Sequence, residues 1–251
     1  MAKEYIYLQG KFYLSKISNG VAGAMRFIGN VPEFQIAITA DLIEHTESTS
    51  GNSTTDFTMV NTTGVEFSGQ IEEINAKNLE YILSGTNHEI ASTTVTDQSI
   101  GTVAVGEEIQ LGGYNLTTVS FKDSTGTPVT VDPSKYTLDA KFGTVIFNDV
   151  TGLTMPLEAT YTTGAVTQTT IATDLEEEYE LFFKGYNKAT KTHVAVRLWR
   201  TKKSPETTFP LIHNELGQYE IQGRALSDVE KESDATLGVY GHIVTIPAAA
   251  A

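Results

Sequence analysis

The side chains of this chain that could carry out chemistry are few and isolated. No two histidines form an i, i+4 pair on a predicted helix, and no HExxH motif of the kind that binds zinc occurs. The sequence also lacks a GxSxG serine motif, a P-loop and a GxGxxG after a strand. The five histidines are His45, His88, His193, His213 and His242. The chain has no cysteine, which excludes thiol chemistry and Cys-based metal sites. We therefore predict a protein that is not an enzyme, with no catalytic residue, no metal site and no cofactor.

Two charged clusters remain as candidates for interactions. The densest acidic cluster consists of Asp174, Glu176, Glu177, Glu178 and Glu180. It lacks the Asp-x-Asp-x-Asp-Gly spacing of a calcium-binding loop. The densest basic cluster consists of Arg197, Arg200, Lys202 and Lys203. The acidic cluster is either a solvated approach to a strand or a surface that pairs with the basic cluster of another copy and sets subunit register.

The composition favours a β protein that does not grip nucleic acid. Hydrophobic residues make up 40% of the 251 residues, which is enough for a buried core, and Thr, Val, Ile, Tyr and Phe suit pleated sheets. The formal net charge is −14, and phosphate contacts require clustered Lys and Arg. Such acidity serves solubility, or it repels DNA so that DNA slides past without sticking.

The elements that would position a site begin with a long hairpin. Phe34, Ile36, Ile38, Ala40 and Leu42 alternate with polar residues, which predicts a strand with one apolar face. A polar stretch at 44–56 follows, and a second alternating strand covers 65–72. A loop of that length in a compact domain is usually functional or disordered, and we interpret it as an assembly arm.

The rest of the chain divides around this hairpin. Asn75 as an N-cap, the spacing of Leu79, Ile82 and Leu83, and Gly85 as a left-handed C-cap predict one short helix. The Thr-rich, Val-rich texture of 92–166 predicts a small inserted β-sandwich. We therefore predict a mostly β fold with a core domain at 1–91 and 167–228, the inserted module at 92–166, and a partly flexible C-terminal extension at 229–251.

The two ends of the chain carry no sign of membrane targeting. The first twenty residues are polar and charged throughout, so we expect no signal peptide. No run of residues approaches the roughly 18 apolar residues of a membrane span. We therefore expect no membrane partner.

Four segments, in this order, resemble the tail tube (major tail) proteins of long-tailed bacteriophages. The first is 29–34 (GNVPEF) with its alternating strand, ending at Glu44 and His45 before the Ser/Gly-rich loop. The others are 78–85 (NLEYILSG), 181–187 (LFFKGYN) with 194–200, and 215–226 (ELGQYEIQGRAL). The resemblance covers about 1–90 and 170–228, and the middle region fits only as a generic inserted β module.

The resemblance implies a subunit that assembles into stacked hexameric rings around a channel for phage DNA. Its fold would be a β-sandwich that forms part of a barrel wall. The implied partners are other copies of the chain and the tape-measure, tail-tip and tail-terminator proteins of the same virion. DNA would pass through the lumen without specific binding. The protein would reside in the virion tail, after synthesis and assembly in the cytoplasm of the bacterial host.

The resemblance also assigns roles to residues of the hairpin. The polar loop would order when it meets the next ring, and the polar strand face would line the lumen. The inter-ring loop residues are Glu44, His45, Thr46, Glu47, Ser48, Thr49, Ser50, Gly51, Asn52, Ser53, Thr54, Thr55 and Asp56. The lumen-facing candidates are Gln35, Thr39, Asp41, Thr58, Thr62, Glu66 and Gln70.

Two other interpretations remain open. The first is a β-sandwich adhesin or carbohydrate-binding module on a cell or virion surface. The second is a hydrolase that uses scattered carboxylates, as glycoside hydrolases do. The single tryptophan, Trp199, gives little support to a sugar-stacking cleft.

Overall fold

The computed structural model describes residues 5–49 and 51–247, which form a mostly β protein with one α-helix. This confirms the predicted fold class. The strands make several antiparallel sheets. Within the described residues, no helix is both long enough and apolar enough to cross a membrane.

The chain divides into two compact units. Unit 1 holds the residues up to Thr86 together with those from Thr169 onward, and unit 2 is Asn87–Gln168. The sequence places these junctions after residues 91 and 166, whereas in the structure they follow Thr86 and Gln168. Each unit has its own hydrophobic core.

Unit 1 begins with the strands that carry the predicted hairpin. These strands and the helix that follows are β1 (Leu8–Ser18), β2 (Val21–Ala22), β3 (Arg26–Phe27), β4 (Phe34–Thr46), β5 (Thr55–Ile71) and α1 (Ala76–Leu83).

Unit 2 is built from short strands joined by turns, as its Thr-rich and Gly-rich sequence predicts. Its strands are β6 (Asn87–Ile90), β7 (Thr94–Gly101), β8 (Glu108–Gln110), β9 (Thr117–Lys122), β10 (Tyr136–Asp139), β11 (Thr144–Phe147), β12 (Leu157–Thr162) and β13 (Val166–Thr169), with a 3₁₀ turn at Pro133–Lys135 before β10. The fully buried side chains Phe121, Phe147, Leu157 and Tyr161 lie in its core. Buried Asp123 shapes one turn of this unit, because its carboxylate accepts hydrogen bonds from the backbone N–H groups of Val129 and Thr154.

The chain then returns to unit 1 and completes its main sheet. The remaining strands are β14 (Glu178–Asn187), β15 (Thr192–Lys203), β16 (Tyr219–Leu226) and β17 (Gly241–Ile246). The described part of the predicted C-terminal extension therefore does not stand apart from the fold: β17 pairs with β15, with Val196 opposite Ile243. The rest of that prediction, residues 248–251, lies outside the described residues.

The main sheet of unit 1 has the order β2-β1-β14-β15-β16-β5-β4, with β17 beside β15 and β3 beside β1. The alternation of the strands buries one face of this sheet. Its core residues include Phe12, Leu14, Phe67, Ile71, Leu181, Leu198 and Ile221. Helix α1 covers this face with Tyr81 and Ile82, which are buried in the same cluster.

The ends of α1 show which sequence signals set a helix boundary here. Asn75 is the N-cap, and its side chain accepts a hydrogen bond from the Asn78 N–H, as predicted. The left-handed residue at the C-terminus is Ser84, with φ 48°, rather than the predicted Gly85. Gly85 has a different reason to be glycine: an added Cβ would lie 1.8 Å from the carbonyl oxygen of Thr170.

Candidate functional site

The hairpin of β4 and β5 extends beyond the body of the main sheet. Strand β16 pairs with β5 only between Val65 and Ile71. The pairing ends where Ala225 of β16 stands opposite Val65. Beyond the pair formed by Ile38 and Val65 the hairpin therefore continues as a two-stranded ribbon. We call residues 38–64 the arm, of which Ser50 lies outside the described residues.

The arm exposes apolar side chains on both of its faces. On one face the exposed fractions are 81% for Ile38, 54% for Leu42 and 54% for Val60. On the other face they are 47% for Ile43 and 56% for Phe57. Such a surface is unusual for a monomeric soluble protein and is typical of a contact site.

The apolar face of β4 lies outside the core of unit 1 for most of its length. Only Phe34 joins the core, with its ring centroid 4.5 Å from that of Phe12. Ile36, Ile38 and Leu42 are exposed because the strand runs past the edge of the core. The alternation predicted the strand correctly but not what covers it.

A β-bulge in β5 changes which residues share a face. Asp41 pairs with Thr62 and Leu42 pairs with Val60, so Asn61 is an extra residue on β5. Beyond this bulge Thr58 lies opposite Glu44, on the same face as Leu42. Thr58 therefore does not share the polar face with the other lumen-facing candidates, and its assignment to that face is wrong.

The other six lumen-facing candidates do share one face, opposite the core side. They are Gln35, Thr39, Asp41, Thr62, Glu66 and Gln70. On this face Gln35 donates to Ser68 Oγ at 2.9 Å, and Thr62 donates to Asp41 Oδ2 at 2.7 Å. Arg224 of β16 lies 3.1 Å from the Glu66 carboxylate. The face is polar, and the carboxylates of Asp41 and Glu66 interact with side chains of the neighbouring strands.

The polar stretch at 44–56 is less of a loop than its sequence predicts. Glu44, His45 and Thr46 continue β4, and Thr55 and Asp56 begin β5. Backbone pairing of two strands requires no apolar side chain, so the ladder extends into the polar stretch. The connecting turn covers 47–54. Of the predicted loop residues that it contains, Glu47, Ser48, Thr49, Gly51, Asn52, Ser53 and Thr54 are described and Ser50 is not.

Three local contacts hold the described ends of this turn. The Glu47 N–H donates to the Thr54 carbonyl at 2.9 Å, and the Glu47 carboxylate accepts from Thr49. His45 Nδ1 lies 2.6 Å from Asp56 Oδ1. The tip of the arm is thus a formed hairpin end.

The acidic and basic clusters of the sequence pair with each other within one chain. Because β14 and β15 are antiparallel neighbours, Glu178 stands opposite Lys202. Arg200 makes a bidentate contact in which Nε and Nη2 each donate to one carboxylate oxygen of Glu178 at 2.8 Å. Lys202 pairs with Glu176. Arg197 Nε lies 3.0 Å from the Glu180 carboxylate, without the alignment of a hydrogen bond. The predicted pairing with a second copy is therefore not needed to neutralise these charges.

Sequence reasoning missed one residue that holds the base of the arm. The hydroxyl of Tyr240 donates to the Thr63 carbonyl at 2.8 Å, where β5 leaves β16. Tyr240 comes from the segment before β17, far along the chain, and only the pairing of β17 with β15 places it there. No sequence pattern pointed to this contact.

Both outer edges of the arm lack a partner strand among the described residues. Strand β4 is the last strand of the sheet order, and beyond Val65 strand β5 has no described partner strand on the side away from β4. Unpaired edges of this kind are templates for pairing with another chain. Among the described residues, no group of three or more His, Asp or Glu side chains is close enough together to hold a metal ion.

Comparison with known proteins places the chain in a family. No curated protein matches it. Residues 5–244 match the family described as "Protein of unknown function UCP028589", and the chain therefore belongs to that family.

Proposed function

We propose that this protein is a structural subunit that assembles with copies of itself into stacked hexameric rings, forming the tail tube of a bacteriophage. The observation that carries the proposal is the arm. It is a two-stranded ribbon with exposed apolar side chains on both faces and with unpaired edges. The resemblance of four sequence segments to tail tube proteins is the reason for proposing stacked rings as the type of assembly.

The arm lacks the contacts that a stable two-stranded ribbon requires. An isolated two-stranded hairpin is marginally stable in water, and further strands or a packed face are needed to hold it. Leu42 and Val60 lie opposite each other on one face with about half of each side chain exposed. A second copy that covered this face would remove apolar area from water at about 25 cal/mol per Å².

The polar face of the hairpin fits a water-filled lumen. Its side chains are Gln, Thr, Asp and Glu, with Arg224 beside Glu66. The net charge of −14 favours repulsion of phosphate by the protein as a whole. DNA would pass such a wall without forming the clustered basic contacts that hold it. The tape-measure, tail-tip and tail-terminator proteins of the virion would be its other partners, and the virion tail its location.

The proposal is tested by negative-stain electron microscopy and sedimentation velocity of the purified chain over a concentration series. We expect rings or hollow tubes whose fraction rises with concentration. A chain that stays monomeric over the whole series, and that instead binds members of a glycan array, would overturn the proposal in favour of a carbohydrate-binding surface module.

A further inference from the structure

One exposed face of unit 1 combines lysines with aromatic rings. It lies on β1, β3 and β14, opposite the buried side of the main sheet. In the register of these strands Lys11 stands opposite Lys184, Tyr13 opposite Phe182, and Tyr13 opposite Phe27. We call these five residues the cationic face.

The lysines of the cationic face lie over rings instead of carboxylates. Lys184 Nζ is 4.6 Å from the centroid of the Tyr13 ring and 5.6 Å from that of Phe182. Lys11 Nζ is 5.6 Å from the centroid of the Phe27 ring. Such contacts stabilise a cation only modestly at an exposed site and leave its charge available.

In a chain with 31 acidic and 17 basic residues, carboxylates outnumber the basic groups available to them. Eight Lys and Arg side chains of the described part have carboxylate partners, and these are Lys16, Lys77, Lys122, Lys135, Arg197, Arg200, Lys202 and Arg224. Lys11 and Lys184 make no ion pair with a described residue. Two neighbouring cations left unpaired by an acidic chain form a surface that fits the carboxylates of a partner.

The arm offers the complementary chemistry. Glu44 makes no ion pair with a described residue, and it lies on the same face of the arm as Leu42 and Val60. Asp56 is held by His45, on the opposite face of the arm, so Glu44 is the carboxylate that this face offers. A carboxylate beside exposed apolar side chains matches lysines beside the exposed ring of Phe27 and the half-buried rings of Tyr13 and Phe182.

We propose that the cationic face receives the distal end of the arm of a second copy, with Glu44 near Lys11 and Lys184. The inference rests on the proposed function, since it names the surface that the arm contacts. The apolar side chains of the arm would pack on Tyr13, Phe27 and Phe182. The occupant is an acidic protein segment because two lysines are too few for the clustered phosphate contacts of nucleic acid.

The absence of native cysteine allows a direct test in the full-length chain. One copy carries Thr58→Cys, opposite Glu44 on the arm, and a second copy carries Gln9→Cys, beside Lys11. Both positions are exposed, and neither substitution changes a charge of the proposed contact. The two copies are mixed under mild oxidation and the disulfide-linked pair is measured. The matched control replaces Gln9→Cys with Thr96→Cys, an exposed position in unit 2.

We expect the Thr58→Cys copy to link to the Gln9→Cys copy about tenfold more than to the control. Adding K11E and K184E to the receiving copy should remove that excess, and adding E44K to the arm copy should restore it. The substitutions K77E and K141E, which change the net charge equally at other places, should leave the yield unchanged.

The outcomes separate the two proposals. If the chain forms rings but the two cysteine pairs link equally, the arm contacts another surface and only this inference is overturned. If the chain neither assembles nor links, both proposals are overturned. Charge reversal that lowers retention of a duplex oligonucleotide, with no effect on the disulfide yield, would show a nucleic-acid surface and would also overturn this inference.

Discussion

At the scale of single residues, Asn78 is the polar side chain on which the start of α1 depends. It is fully buried, and its Nδ2 donates to the carbonyls of Ile28 at 2.8 Å and Glu73 at 2.7 Å. Its Oδ1 accepts from Arg26. Burial lowers the pKa of Arg26, so the loss of this acceptor would leave a partly desolvated cation with a poorer partner.

We predict that Asn78→Ala lowers the free energy of unfolding of unit 1 by about 3 kcal/mol, since it leaves the carbonyls of Ile28 and Glu73 and the guanidinium of Arg26 without their partner. The measurement is the denaturation midpoint in urea. Asn75→Ala is the control, because it removes only the N-cap hydrogen bond and should cost about 1 kcal/mol. Equal effects of the two substitutions would contradict this role of Asn78.

Lys203 gives unit 1 a pH-dependent stability. Its Nζ donates to the Ile82 carbonyl near the C-terminus of α1 at 2.5 Å, and burial lowers the pKa of Lys203 to about 8. Above that pH the folded chain holds this lysine neutral, whereas the unfolded chain keeps it charged up to its ordinary pKa of 10.5. The unfolded chain then binds more protons, so this group raises stability as pH rises through that window.

We predict that the unfolding midpoint of the wild-type chain rises between pH of about 8 and about 10 relative to that of Lys203→Met, which lacks the titrating group. Above about pH 10 the stability of both proteins should fall as pH rises, because burial raises the pKa values of Tyr81 and Tyr179, which both proteins contain, above 10.0. Lys77→Met, which removes an exposed lysine of the same helix, should keep the wild-type slope. Parallel pH profiles of the wild type and Lys203→Met would refute the assignment.

At the scale of elements, the arm separates folding from assembly. The core of unit 1 includes Phe34 and Val65 at the base of the hairpin but no described residue of the arm itself. Changes in the arm should therefore alter contacts between copies and leave the unit folded.

We predict that Leu42→Thr with Val60→Thr raises the protein concentration needed for assembly by about tenfold or more, since two exposed apolar side chains lose contact area in the assembled state. Threonine retains strand propensity, so circular dichroism should stay unchanged. The matched control is Val105→Thr with Val129→Thr in unit 2, whose exposed fractions of 58% and 54% resemble those of the arm residues. Loss of assembly in both double variants, measured by sedimentation, would mean that the arm has no special role.

At the scale of the whole molecule, unit 2 is inserted at a point where unit 1 is nearly continuous. The Thr170 N–H donates to the Thr86 carbonyl at 3.0 Å, so the two chain ends of unit 1 meet. The two units have separate cores. Unit 1 should therefore fold without the insertion.

We predict that removal of 87–168, with a short Gly-Ser linker between Thr86 and Thr169, leaves a unit 1 that unfolds cooperatively and still assembles. Calorimetry should show the loss of the transition that belongs to unit 2 and little change in the other. A truncated chain that does not fold would show that unit 1 requires the insertion. One that folds but no longer assembles would assign a contact between copies to unit 2.

The sequence by itself determined the features that depend on residues close together along the chain. Alternation of side chains identified β4 and the last part of β5, because a strand presents successive side chains to opposite faces. Asn75 identified the start of α1, since its side chain can satisfy a free N–H there. The change in texture near residue 92 marked the inserted module.

The tertiary structure decided everything that depends on which strand lies beside which. Strand pairing brought the acidic cluster onto Arg197, Arg200 and Lys202 of the same chain. One extra residue, Asn61, moved Thr58 to the other face of the arm, because side chains alternate with a period of two and an insertion reverses their phase. The end of β16 at the base of the arm decided that Ile38 and Leu42 are exposed. Contacts between residues far apart in sequence leave no trace in local spacing, so no reading of alternation could have supplied them.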